Sequence, residues 1–122
     1  LEYSLYGLKA LSLTAEVARH YDVDLYGYGR SDPEGPSALE RVFSAYAEYV
    51  VSSDGWRWGL GEDGVTPAER MAGASTYELA HSTWPRSAFE TAIESVGRPL
   101  YERRILGWVT LTHANRFALD LP

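Results

Sequence analysis

The chain has 122 residues, a formal net charge of −6 and no cysteine. That length fits one domain or a piece of one, and 45% hydrophobic with 23% charged residues is ordinary globular usage, not a disordered composition. A pI of about 5.0 argues against nonspecific nucleic-acid binding and against anionic membrane surfaces. Without cysteine there is no disulfide, no thiolate nucleophile and no cysteine metal ligand. No stretch approaches the ~18 uncharged apolar residues of a transmembrane helix. Nine Tyr and four Trp are a high aromatic load. Such residues fill helix interfaces, and they also stack on sugar rings.

The first helix is expected from about Tyr3 to Arg19. Leu5, Leu8, Leu11, Ala15 and Ala18 form one apolar stripe, and Tyr6, Leu13 and Val17 form another. A helix apolar on more than one face is buried on more than one side. That pattern suits an inner helix of a two-layer helical toroid or the central helix of a small bundle. The chain opens directly into this pattern at Leu1, with no initiator Met and no signal peptide, so it reads as a mature or truncated product. Residues 22–36, DVDLYGYGRSDPEGP, form a long loop, and long ordered loops are often functional.

Ser37-Ala38-Leu39-Glu40 is a capping box that opens a second helix, ending near Val51. Its buried face should hold Leu39, Val42, Phe43, Tyr46 and Val50. Residues 52–65 are a second loop. Thr66-Pro67-Ala68-Glu69 is another capping box, with Pro where its missing N–H costs nothing. The helix it opens meets Gly73, where it can either break and restart at Ser75 or run through; in both cases Tyr77, Leu79 and Ala80 belong to a helical turn ending near His81. Ser87-Ala88-Phe89-Glu90 reads as a third capping box, and Gly97 as the stop of that helix. The β-branched tail suggests a short extended segment around Trp108–Leu111.

Most chemistries are absent as motifs. There is no P-loop, no G-x-G-x-x-G and no G-x-S-x-G. His20, His81 and His113 lie far apart, without the spacing of a zinc site. Tyr3 and Tyr6 are three residues apart, one turn along a helix, so two phenols can line one groove. Tyrosine titrates near about 10 and needs a cationic neighbour to work as acid or base near neutrality. Lys9, three residues on, can supply that charge. The same two tyrosines can equally be rim packing. Trp56-Arg57-Trp58 can stack sugars and pair a carboxylate, or can plug onto the helices beneath. Arg103-Arg104 can bind carboxylates or can be solvated surface.

Tyr3-Ser4-Leu5-Tyr6-Gly7-Leu8, followed by an apolar helix and the turn Asp22-Val23-Asp24-Leu25, resembles the alginate lyase-like polysaccharide lyases. That turn is G-V-D-L-like in the family, with Asp22 standing where Gly is usual. Thr76-Tyr77-Glu78-Leu79 and Trp84-Pro85 are similar to a later aromatic-x-E segment and aromatic-Pro pair. The resemblance spans most of the chain, but only the first 29 residues are specific.

The resemblance implies β-elimination on an acidic polysaccharide. The uronate carboxylate is neutralised, a base takes the C5 proton, and an acid protonates the departing 4-oxygen. It implies no obligatory metal or organic cofactor, and a periplasmic or secreted location. Tyr6 aligns with the catalytic tyrosine. The family's arginine seven residues before the tyrosine, and its Asn-His pair, would fall before Leu1. The chain is therefore expected to be the C-terminal part of a toroid, inactive by itself.

The resulting expectation is an all-α fold, one domain over 1–122, forming a partial (α/α) toroid of helical hairpins. Its function is that of a polysaccharide lyase domain acting on a uronic-acid polymer, as part of a longer chain. Tyr6 is the candidate catalytic residue. Tyr3, Lys9, Trp56, Arg57, Trp58 and Glu78 are the candidate substrate-binding residues. The alternative is a non-catalytic carbohydrate-binding or helical interaction domain. The partner is an acidic polysaccharide, not nucleic acid, and the oligomeric state stays open. An isolated chain should expose hydrophobic surface.

Overall fold

The computed structural model describes residues 1–57, 65–104, 106–107 and 109–113. Among these the chain is all-α, with five helices and one isolated antiparallel bridge between Glu102 and Gly107. The helices are α1 (Glu2–Arg19), α2 (Ala38–Val51), α3 (Pro67–Thr83), α4 (Ser87–Glu94) and α5 (Val109–His113).

The centre of the molecule is α3, which packs against α1, α2, α4 and α5. Every residue from Gly73 to His81 is buried, so this helix is enclosed on all sides. Its run Gly73-Ala74-Ser75-Thr76 is small rather than strongly apolar, and small side chains let neighbouring helices approach closely. Gly73 does not break the helix. A Cβ there would lie 3.1 Å from Leu5 Cδ1 and 3.5 Å from Val50 Cγ2, so the glycine is the contact point of α1, α2 and α3. The N-terminus of α3 is a reciprocal capping box: Thr66 N donates to Glu69 Oε2 at 2.6 Å, and Glu69 N to Thr66 Oγ1 at 3.3 Å.

The inner position expected of α1 belongs to α3. On α1 a single stripe is buried: Leu5, Leu8, Lys9, Ser12 and Ala15. Leu11 and Val17 are more than half exposed. Helix α2 buries Glu40, Phe43, Ala47 and Val50, while Val42 is exposed. Phe43, Tyr77, Trp84 and Phe89 form the aromatic centre, with Phe43 and Tyr77 edge to face at 5.2 Å. The buried Tyr77 hydroxyl donates to the Phe43 carbonyl at 2.6 Å, which ties α3 to α2.

Two of the three expected capping boxes do not form: at α2 the glutamate pairs elsewhere, and at α4 the helix starts one residue earlier than expected. Ser37 accepts from Glu40 N at 3.1 Å, but the Glu40 carboxylate turns to Arg86 Nε at 2.7 Å. At α4 the N-cap is Arg86, with no side-chain cap. There Glu90 is taken by Arg98 in two parallel bonds of 2.7 and 2.9 Å. Gly97 does stop the helix turn, at φ +87°, where residues other than Gly are strained.

Residues 109–111, expected to be extended, start α5 instead. Thr112 Oγ1 donates to the Val109 carbonyl, and Thr110 Oγ1 accepts from Leu100 N at 2.8 Å. These bonds and the full burial of Val109 outweigh the β-branched preference of the segment. Trp108 lies outside the described residues.

The long α1–α2 loop is anchored by Tyr26, which is 5% exposed. Its hydroxyl donates to the Ser12 carbonyl and to Glu16 Oε2, each at 3.2 Å, and its ring meets Trp84 edge-on at 5.3 Å. Asp22 opens the loop at φ +59°, the left-handed region that favours glycine.

Candidate functional site

A cleft of about 340 Å³ lies between α1, the first half of α3 and residues 101–104. From α1 it takes Leu5, Tyr6 and Lys9, and from α3 it takes Met71, Gly73 and Thr76. Tyr101, Glu102, Arg103 and Arg104 complete the lining. The stripe that buries Leu5 and Lys9 against α3 leaves Tyr6 at its edge, 44% exposed and open to solvent.

Lys9 is buried beneath Tyr6. Its ammonium lies 4.8 Å from the centre of the Tyr6 ring and 3.3 Å from Glu102 Oε2. A cation over an aromatic face is attracted by the ring quadrupole. Glu102 does more than neutralise Lys9: it accepts from Arg104 N at 3.1 Å and Leu106 N at 3.2 Å. One carboxylate therefore holds both a buried cation and the backbone of the turn that follows. Glu69, also on the cleft, is committed to its capping box, and the backbone N–H of Thr66 holds its carboxyl below the usual range.

The expected site residues do not all converge. Tyr6 and Lys9 share the cleft. Tyr3 is 89% exposed and does not line it. Trp56 packs on Tyr46 and Tyr49, with ring centres 5.7 and 5.1 Å apart, and Arg57 is exposed beside it. Neither belongs to the cleft lining. Trp58 lies outside the described residues. Glu78 is fully buried, and both its oxygens accept from Arg98 Nε, at 3.0 and 3.1 Å. Burial pushes its carboxyl above the ordinary value, and Arg98 opposes that push.

Sequence reading missed Tyr101 and Glu102. Tyr101 takes the place expected of Tyr3 as the second phenol on the cleft. No spacing rule joins residues so far apart in sequence. A doubled arginine after an acidic residue was the available signal. Among the described residues no cluster of three or more His, Asp or Glu could hold a metal ion. Among the same residues no helix is long and apolar enough to cross a membrane.

The fold and cleft define a helical domain whose groove sets a phenol beside basic groups. Comparison with known families adds one finding: the alginate lyase family model matches residues 1–56, a little under half of the chain. This span holds α1 with Tyr6 and Lys9, the Tyr26-anchored loop and α2. Over that span the chain is similar to alginate lyases. No curated protein and no solved structure matches the chain.

Proposed function

We propose that this chain is the C-terminal part of a helical toroid that cleaves a uronic-acid polymer by β-elimination, with Tyr6 as the proton-transfer residue. The observation that carries this reading is the position of Tyr6. It lies inside the family-matched span, on the wall of the cleft, and open to solvent. In such a reaction the C5 proton of a uronate leaves as its carboxylate is neutralised. The 4-oxygen departs as a proton reaches it. A phenol at the groove wall can give that proton, or take the first and give the second. Preorganised positive charge around the carboxylate stabilises the enolate-like intermediate.

Lys9 has a modified role in this reading. Its charge is shared with Glu102, and it sits under the Tyr6 ring rather than in the groove mouth. It fixes the ring and does not reach for substrate. Tyr3, Trp56, Arg57 and Trp58 would serve, if at all, at outer positions along a polymer. A polymer of this kind is met outside the cytoplasm, so the reading carries a periplasmic or secreted setting.

The neutralised state of Lys9 also favours a second reading, a domain that binds polymer without chemistry. Ultraviolet absorbance of the unsaturated product separates the two. The full-length protein is assayed on alginate and related polyuronates beside its Tyr6→Phe variant. A product signal lost in Tyr6→Phe supports β-elimination through Tyr6. Polymer binding without product on any uronate supports the binding domain.

A further inference from the structure

Three glutamates and three basic residues line the cleft, yet they do not cancel in the groove. Glu69 is spent on the N-terminus of α3, and Glu102 is spent on Lys9 and two backbone N–H groups. Lys9 is neutralised in turn. What remains open is Glu2 against Arg103 and Arg104. Both arginines are exposed, and neither has an ion-pair partner among the described residues. A chain of net charge −6 thus presents a local positive rim on the cleft that Tyr6 also lines.

The rim is not a loose pair of side chains. Arg104 N is bound to the Glu102 carboxylate, and Glu102 exchanges two backbone hydrogen bonds with Gly107, at 2.9 and 2.8 Å. The backbone carrying both guanidiniums is thereby fixed to α1, while the guanidiniums themselves are free to turn toward a ligand. Arginine matches a planar carboxylate with two parallel N–H···O bonds.

We propose that Arg103 and Arg104 are the carboxylate-recognising residues of this cleft, setting its preference for an anionic over a neutral sugar chain. The proposal rests on the lyase reading of the same cleft. It adds what that reading lacks, a cationic contact able to overcome the repulsion between an acidic protein and an acidic polymer.

The test is binding of short uronic-acid oligomers and of neutral oligosaccharides of the same length, at low and high salt, by the full-length protein and its Arg103→Gln/Arg104→Gln variant. Both positions are exposed, so the variant should keep its circular dichroism and melting temperature. The expected result is uronate binding weakened about 10-fold or more in the variant, with a flatter salt dependence and unchanged binding of neutral sugar. Equal uronate binding by both proteins would overturn the arginine assignment and leave the lyase reading standing. Failure of the unaltered protein to prefer uronate over neutral sugar would overturn both. An absent elimination product, with the arginine-dependent preference intact, would remove the chemistry and keep the arginine assignment.

Discussion

The Lys9 ammonium and the Glu102 carboxylate lie 3.3 Å apart, and each side chain is 4% exposed. Removing one partner of a buried ion pair leaves the other charge without compensation, at a cost of about 3–5 kcal/mol. Lys9→Met should therefore lower the unfolding free energy by about that much in urea titration. Adding Glu102→Gln to Lys9→Met should restore part of the loss. A double variant that loses the sum of the two single-variant losses would show that the pair is not energetically coupled.

Arg98 binds two carboxylates at once, Glu78 from α3 and Glu90 from α4. Glu78 has no exposure, so Arg98→Ala strands a buried charge. The expected loss is about 3–5 kcal/mol. Burial disfavours the charged form of the Glu78 carboxyl and Arg98 opposes that push, so Glu78→Gln in the Arg98→Ala background should recover stability. A thermal melt of the three proteins tests the order.

Arg98 holds the Glu90 carboxyl below its ordinary value. A carboxylate with a lowered folded-state pKa adds stability above its unfolded pKa and loses it as pH falls through the folded one. The stability gap between the unaltered protein and Glu90→Gln should be full near neutrality. It should close as pH drops through and below the ordinary carboxylate range. Denaturant melts across that range check this, and a pH-independent gap would contradict it.

Gly73 faces the Leu5 and Val50 side chains. Alanine there gains about 1 kcal/mol of helix propensity. Its Cβ contact with the mobile end of Leu5 offsets much of that, so Gly73→Ala should be near neutral. Valine has no such margin. Gly73→Val should cost about 2–3 kcal/mol by overpacking. An unchanged urea midpoint for Gly73→Val would mean that α1 and α3 can separate there freely.

Asp22 sits at φ +59°. Glycine relieves the left-handed strain but adds freedom to the unfolded chain. The balance favours Asp22→Gly by roughly 0.5 kcal/mol. A lower melting temperature for this variant would show that the Asp side chain is worth more than the strain.

Helix existence was legible wherever caps and periodicity agreed. Ser37 and Thr66 marked the starts of α2 and α3, and Gly97 marked the stop after α4. Helix rank was not legible. Leu-rich α1 reads as the inner helix, yet α3 is, because enclosure here depends on small residues that carry little hydrophobic signal. Glu40 and Glu90 looked like capping partners because local pattern cannot see Arg86 and Arg98 arriving from elsewhere. Tyr6 and Lys9 could be picked out, being one turn apart on one helix. Tyr101 and Glu102 could not, since only tertiary packing brings them there. On α1, Tyr3, Leu11 and Val17 face outward.

The cleft is lined by residues from opposite ends of the described chain and by the first half of α3. No locally folded piece can contain both. A molecule bound across the groove therefore stabilises the whole cooperative unit rather than one loop. Amide exchange on ligand addition should slow across α1, α3 and the segment after Arg98 together, making occupancy of the groove a reporter of complete folding.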